Sequence, residues 1–322
     1  MRKPKRLVAL ALLCAGCGNF IPPEDIPGIR EKSEKKKIEL HGHRGARGLA
    51  PENTWPAFEL GIRGGMTAIE LDIVLTADGE LIIHHDFYTN PKNCRRDDGT
   101  KIHALPISRL TVADLKRLDC GSLKNEKFPE QKLFPRTRLL TLPEFFERVR
   151  TLETEYPPAR DVIFNLDAKF SPRVTPTDAY LTRFAQLLIK EAETAGMLNR
   201  IMVQSFEIRL LPFVKEQKPG LRTAALFQWS KWPGVGKRTP ETMMIRAEAS
   251  EADIVAPHYK DTDKALVELV HKKQMAIIPW TVNEPELMRS LLQLGVDGII
   301  SDYPDRLKRV ATELGFDATS EK

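Results

Sequence analysis

Imidazole, guanidinium and carboxylate groups recur at short intervals in this chain, and their spacing suggests where they would meet. The stretch HGHRGARGLAPENT (residues 41–54) carries His41, His43 and Arg44 where an alternating apolar run gives way to glycine, and it ends on Glu52 and its neighbours. In ELDIVLTADGELIIHHD, Glu70 and Asp72 stand two residues apart and His84 and His85 close the run. FNLDAK sets Asn165, Asp167 and Lys169 at the same two-residue spacing. Alternate side chains of a strand share a face, so Glu70 and Asp72 point one way together, as do Asn165, Asp167 and Lys169. Inward carboxylates at a strand end are costly unless a cation compensates them. Oxygen ligands of this kind suit a hard divalent ion. His43 as acid or base, Arg44 as a bidentate oxyanion clamp and a metal near Glu70 and Asp72 would combine three catalytic devices. Together they suit phosphodiester cleavage, in which charge grows on the non-bridging oxygens and the leaving alkoxide needs a proton. Each carboxylate alone is an ordinary salt-bridge partner; their gathering at strand ends is what points to a site.

The elements that must position these groups follow from periodicity. Nine strand-like runs recur: IELHGH, AIELDIVLT, LIIHHD, VIFNLDAK, IMVQSF, LRTAALF, DIVAPHY, AIIPWTV and DGIISDY. Amphipathic stretches such as 178–194 and 264–273 separate most of them, which argues for a parallel sheet covered by helices. Only Ala-Asp-Gly-Glu separates the second run from the third, too little for a parallel crossover. Asp78-Gly79 reads instead as a two-residue hairpin loop. Eight parallel strands plus one antiparallel arm is the inventory of an α/β fold, the TIM (β/α)8 barrel. In that register Ala77 pairs with Glu80 and Asp72 faces His85, while His84 points to the other side. His41 reads as a polar residue of the barrel interior. Residues 87–143 are irregular apart from a short helical stretch near 112–118, and read as a polar insertion on the face that bears the site.

The 322 residues carry a formal charge of +5, of which Arg2, Lys3, Lys5 and Arg6 contribute four, leaving about +1 for the remainder. That removes the electrostatic case for nucleic-acid binding. The N-terminus MRKPKRLVALALLCAGCGNF has a basic head and an apolar run far short of the roughly 20 residues needed to span a bilayer, so residues 1–16 read as a secretory signal. The segment resembles a bacterial lipoprotein signal, with Cys17 as the lipidated residue, although Cys14 stands where such signals usually carry leucine. Residues 17–37 read as a tether, and 38–315 as one catalytic domain. Export would permit Cys94 and Cys120 to form a disulfide.

The order HGHRGARGLAPENT, ELDIVLTADGELIIHHD, FNLDAK, QSF, PWTVN and GVDGIISDYPD resembles the glycerophosphodiester phosphodiesterase family from Leu40 to Arg309. The resemblance implies a TIM barrel that hydrolyses glycerophosphodiesters to sn-glycerol 3-phosphate and an alcohol with one divalent ion, Ca2+ or Mg2+. It implies His43 and His85 as the acid/base pair, Arg44 and Lys169 as phosphate contacts, and Glu70 and Asp72 as metal ligands. Asp167 stands where the family normally has a glutamate as third ligand, one methylene longer. Glu52 of PENT is implied at the site and Trp280 in the substrate pocket. A lysolipid substrate, and a non-catalytic binding lipoprotein, are the competing expectations. The expected location is exported and lipid-anchored, on the periplasmic side of a bacterial membrane.

Overall fold

The computed structural model describes residues 37–228 and 239–318. The strands are β1 (Lys37–Gly42), β2 (Ala68–Leu75), β3 (Leu81–Ile83), β4 (Arg95–Arg96), β5 (Leu118–Asp119), β6 (Ile163–Ala168), β7 (Ile201–Ser205), β8 (Thr223–Phe227), β9 (Ile254–Pro257), β10 (Ala276–Ile277), β11 (Gly298–Ser301) and β12 (Asp317–Ala318). Helices α1 (Trp55–Arg63), α2 (Val112–Leu115), α3 (Leu142–Glu155), α4 (Asp178–Thr194), α5 (Leu210–Gln217), α6 (Pro240–Ala249), α7 (Lys264–Lys272), α8 (Pro285–Leu294) and α9 (Pro304–Glu313) follow or interrupt them. Eight strands are parallel, in the order β10-β9-β8-β7-β6-β2-β1-β11. Asp297 and Ile300 donate backbone hydrogen bonds to the carbonyls of Ile277 and Pro279, and Val282 donates to Ile300, joining β10 to β11 across the remaining gap. The fold is the expected TIM barrel with an antiparallel arm. β1 begins at Lys37, within the segment read as a tether, and β12 lies past residue 315 and pairs with β1.

Alternation along the strands builds two apolar layers. On β2, Ile69, Leu71 and Ile73 join Phe58, Phe145, Phe146 and Phe164 in the layer between barrel and helices. Ala68 faces inward with Ile163, Met202, Leu226, Ile254 and Ile300. This inner cluster fills the barrel below the carboxylates, so Glu70 and Asp72 sit above a dry plug rather than in a pore. Residues 87–143 are ordered: Val74 and Ile82 of the hairpin pack with Cys94, Ile107, Leu115, Leu118, Cys120 and Leu139. Cys94 and Cys120 are joined as a disulfide within this cluster.

The hairpin differs from the expected one. Thr76 and Glu80 close it through a backbone hydrogen bond of 3.0 Å, so the loop holds three residues, Ala77, Asp78 and Gly79. Gly79 has φ +84°, the left-handed conformation with which three-residue loops commonly end. The extra loop residue shifts the register by one: Ile73 pairs with Ile83 and Leu75 with Leu81. Asp72 therefore lies opposite His84, whose backbone N–H donates to the Asp72 carbonyl at 3.0 Å.

Candidate active site at the C-terminal mouth of the barrel

β2 and β6 run in register with Asp72 beside Asp167 and Glu70 beside Asn165. Glu70, Asp72 and Asp167 are all buried, and each offers a carboxylate oxygen within 4.8 Å of the others. Adjacent strands thus bring even the shorter Asp167 side chain into the set. The Lys169 ammonium lies 2.9 Å from Asp72 Oδ1 and also pairs with Asp167. Arg44 donates its backbone N–H to Glu70 Oε2 at 2.7 Å, and its guanidinium lies 3.3 Å from Asp72. Asn53 donates to Asp72 Oδ2 at 2.7 Å, and Gln204 reaches Glu70 Oε1 at 3.4 Å.

The loop after β1 is shaped for these contacts. Arg44 and Asn53 hold positive φ angles of 49° and 55°, which few non-glycine residues adopt. Gly45, at φ +86°, packs against the α1 backbone, where a Cβ would come within 2.5 Å of Ala57. That close approach requires glycine.

His43 and His85 face the cluster from opposite chain segments. His43 Nδ1 lies 2.6 Å from Asp302 Oδ1. Asp302 also takes Arg47 Nε at 2.9 Å and the Asn283 side-chain amide at 2.7 Å. An ionised carboxylate at Nδ1 calls for the proton there, leaving Nε2, 4.0 Å from Glu70 Oε2, as the free lone pair. Burial above all, then Arg47 and Arg44, push His43 down to about 4 against the opposing pull of Asp302. Burial would raise Asp302, yet His43 and Arg47 hold it far below the usual carboxylate range. His85 repeats the arrangement: its Nδ1 lies 2.8 Å from Asp86 Oδ1, and Asp86 Oδ2 accepts from Asn90 at 2.7 Å. Burial lowers the His85 pKa and the Asp72 charge opposes that shift. His85 reaches this place despite the shifted register because the ladder ends at Ile83. His84, the residue opposite Asp72, is buried and bonds the Tyr88 carbonyl at 3.2 Å.

The other expected residues divide. Glu52 is turned to the arginines, accepting from Arg44 at 2.8 Å and from Asn93 at 3.3 Å. Trp280 is half-buried at the mouth, edge-on to Phe206 with centroids 5.4 Å apart, and donates to the Ala256 carbonyl at 2.9 Å. Phe206 in turn stands 5.8 Å from the Lys169 ammonium. His41 lies deeper, fully buried, 2.9 Å from Glu39. Cys17 lies outside the described residues. Arg47, Asn53, Gln204, Asn283 and Asp302 belong to the site but carry no role in the sequence reading. Asp302 had a legible signal: it follows a barrel strand directly, where side chains reach the C-terminal face.

The triad suits a hard cation. Asp167 Oδ1 is buried with no hydrogen-bond partner, although the residue is only 3% exposed. Burial and the neighbouring carboxylates push Glu70 well above its ordinary pKa, and burial with Asp72 raises Asp167 to about 6 against Lys169. A divalent ion among Glu70, Asp72 and Asp167 would take the orphaned oxygen as a ligand and relieve this repulsion. The arrangement offers two carboxylate-backed imidazoles, an oxyanion clamp and a metal-ligating set within one mouth.

Comparison with known proteins identifies the family and fold of this chain. A profile of the glycerophosphoryl diester phosphodiesterase family matches residues 43–306. A glycerophosphodiester phosphodiesterase of Caldanaerobacter subterraneus is 31% identical over 265 residues, 82% of this chain and 94% of that protein. One from Bacillus subtilis is 27% identical over 96% of this chain and 99% of its own length. A crystal structure from Silicibacter pomeroyi DSS-3 superimposes with TM-score 0.80 at 27% identity, covering 89% of this chain and 97% of that one. An Oleispira antarctica phosphodiesterase, solved with the product sn-glycerol-3-phosphate, shares the fold at TM-score 0.66 and 22% identity, over 85% of this chain and 96% of that one.

Proposed function

The chain belongs to the glycerophosphoryl diester phosphodiesterase family, and on that premise we propose that the barrel mouth hydrolyses glycerophosphodiesters to sn-glycerol 3-phosphate and an alcohol by metal-assisted histidine catalysis. The observation that carries the reading is the convergence of Glu70, Asp72 and Asp167 with Lys169, Arg44 and two histidines that are each backed by an aspartate. Arg44 and Lys169 bind the non-bridging phosphate oxygens and orient the ester for in-line displacement. His43, neutral at physiological pH and with Nε2 free, accepts the proton of the attacking oxygen, which is water or the glycerol hydroxyl of the substrate. Asp302 keeps the tautomer and stabilises the imidazolium that results. His85, in the imidazolium form that Asp72 and Asp86 favour against burial, donates its Nε2 proton to the departing alkoxide and is left neutral. A Ca2+ or Mg2+ ion on Glu70, Asp72 and Asp167, when bound, supplies Lewis-acid stabilisation of the charge that grows on phosphate.

The reading includes export. Residues 1–16 act as a signal, Cys17 carries the lipid, and residues 17–36 tether the catalytic domain on the periplasmic side of a membrane. The Cys94–Cys120 disulfide supports an oxidising compartment. Replacing Cys17 with serine should move the protein from the membrane to the soluble fraction of a cell lysate, and unchanged sedimentation would refute the anchor.

The enzyme test is release of glycerol 3-phosphate from a small glycerophosphodiester by the wild type and by His43→Ala and His85→Ala. Each variant should lose about two to four orders of magnitude in turnover while melting as a folded barrel. Near-normal rates in both would exclude the histidine assignment, and no release by the wild type would leave a binding protein.

A further inference from the structure

A thread of polar side chains runs up through the barrel interior and ends on Glu70. At the base, Glu39 Oε1 accepts from the Arg222 guanidinium at 2.7 Å, and His41 Nε2 lies 2.9 Å from Glu39 Oε2. His41 Nδ1 lies 3.4 Å from the Asn165 side-chain nitrogen, which also donates to Gln204 Oε1 at 2.8 Å. Gln204 Nε2 reaches Glu70 Oε1 at 3.4 Å. Strand pairing sets this path: β1 lies beside β2, β2 beside β6 with Glu70 next to Asn165, and β6 beside β7. Glu39, His41, Asn165, Gln204 and Glu70 are all buried, where polar groups are costly unless hydrogen-bonded.

The direction of each hydrogen bond in the thread follows from the first. Glu39, paired with Arg222, is ionised and only accepts, so the neutral His41 ring carries its proton on Nε2 and presents the Nδ1 lone pair to Asn165. Asn165 then turns its NH2 group toward both His41 and Gln204, and its Oδ1 is left buried without a partner. The opposite amide orientation would set Oδ1 against two acceptors. Gln204 receives the Asn165 proton on Oε1, so its Nε2 is the group that faces Glu70 and donates to the carboxylate. Arg44 holds the other oxygen, Oε2, through its backbone N–H. With a donor on each oxygen the carboxylate plane is fixed, and each oxygen keeps a lone pair for a cation shared with Asp72 and Asp167.

We propose that His41 is a positioning residue for the metal site, acting through Asn165 and Gln204 to keep a hydrogen-bond donor on Glu70. The inference rests on the metal-assisted reading above and adds to it a residue that touches neither substrate nor ion. Two variants separate the ring nitrogens, because an asparagine amide falls near the place of Nδ1 and a glutamine amide near that of Nε2. His41→Asn keeps a partner for Asn165 and gives up Glu39; His41→Gln keeps Glu39 and gives up Asn165. Ca2+ and, separately, Mg2+ are titrated calorimetrically into the metal-stripped full chain, and a melting curve of each stripped variant is recorded. For an ion that binds the wild type, His41→Gln should raise Kd by about three- to tenfold. His41→Asn should leave Kd within about twofold while melting below the wild type, a split that a purely structural role would reverse. Asn165→Leu keeps the size, removes both donations and should raise Kd by about tenfold or more, which supplies the test should His41→Gln not fold. Wild-type affinity in His41→Gln or in Asn165→Leu, or weaker binding in His41→Asn than in His41→Gln, overturns the positioning role and leaves the metal reading intact. Failure of the wild type to bind either ion refutes that reading, and the role falls with it.

Discussion

His43 Nδ1 and Asp302 Oδ1 lie 2.6 Å apart across a separation of 259 residues, because β1 and β11 are neighbours in the closed barrel. Asp302 is fully buried, and Arg47 and Asn283 share its other contacts. It is placed to position the imidazole rather than to touch substrate.

Asp302→Asn separates those roles. Asparagine keeps the size and can still accept a hydrogen bond, but it no longer stabilises a protonated His43. Turnover should fall by about 10²- to 10⁴-fold with KM little changed. Steady-state kinetics beside a melting curve check this, and a loss confined to KM would remove Asp302 from the chemistry.

The hairpin gives a test of fold without chemistry. Gly79 holds φ +84°, and a methyl group added there would meet nothing closer than an Arg183 side-chain nitrogen at 3.5 Å, so space is not the obstacle. Gly79→Ala should therefore cost about 1–2 kcal/mol through backbone strain alone. Urea unfolding should show that loss while kcat stays within about twofold.

At the base of the barrel Glu39 pairs with His41 at 2.9 Å and with Arg222 at 2.7 Å. Burial would raise the Glu39 pKa, but His41 and Arg222 outweigh it and hold the group below its ordinary 4.5. A depressed carboxylate stabilises the fold above its unfolded pKa, and that contribution is lost as pH falls through the folded value. The urea midpoint of Glu39→Gln should lie below that of the wild type at pH 7, and the gap should narrow below about pH 4.5. A gap that is constant with pH would contradict this account.

Much of the architecture was legible because burial on both faces writes itself into strand composition. VIFNLDAK and AIELDIVLT show apolar residues toward the helices and carboxylates toward the mouth, and β2 and β6 bear that alternation. The hairpin register was not legible. It turns on whether Gly79 closes a two- or a three-residue loop, and a slip of one residue exchanges His84 for His85 opposite Asp72. The place of Asp302 after a barrel strand could be read, but its pairing with His43 and Asn283 could not, since barrel closure and not local spacing sets those partners. Glu52 could be placed near the site from its motif, but its engagement by Arg44 depends on the positive φ of Arg44 and Asn53, which their residue types do not announce.

The central claim, that Glu70, Asp72 and Asp167 hold a divalent ion needed for hydrolysis, is tested most directly by glycerol 3-phosphate release from metal-stripped protein with Ca2+ or Mg2+ added back. Stripped enzyme should be inactive, add-back should restore turnover, and Asp167→Ala should need a metal concentration at least about tenfold higher. Full activity in excess chelator would contradict the account.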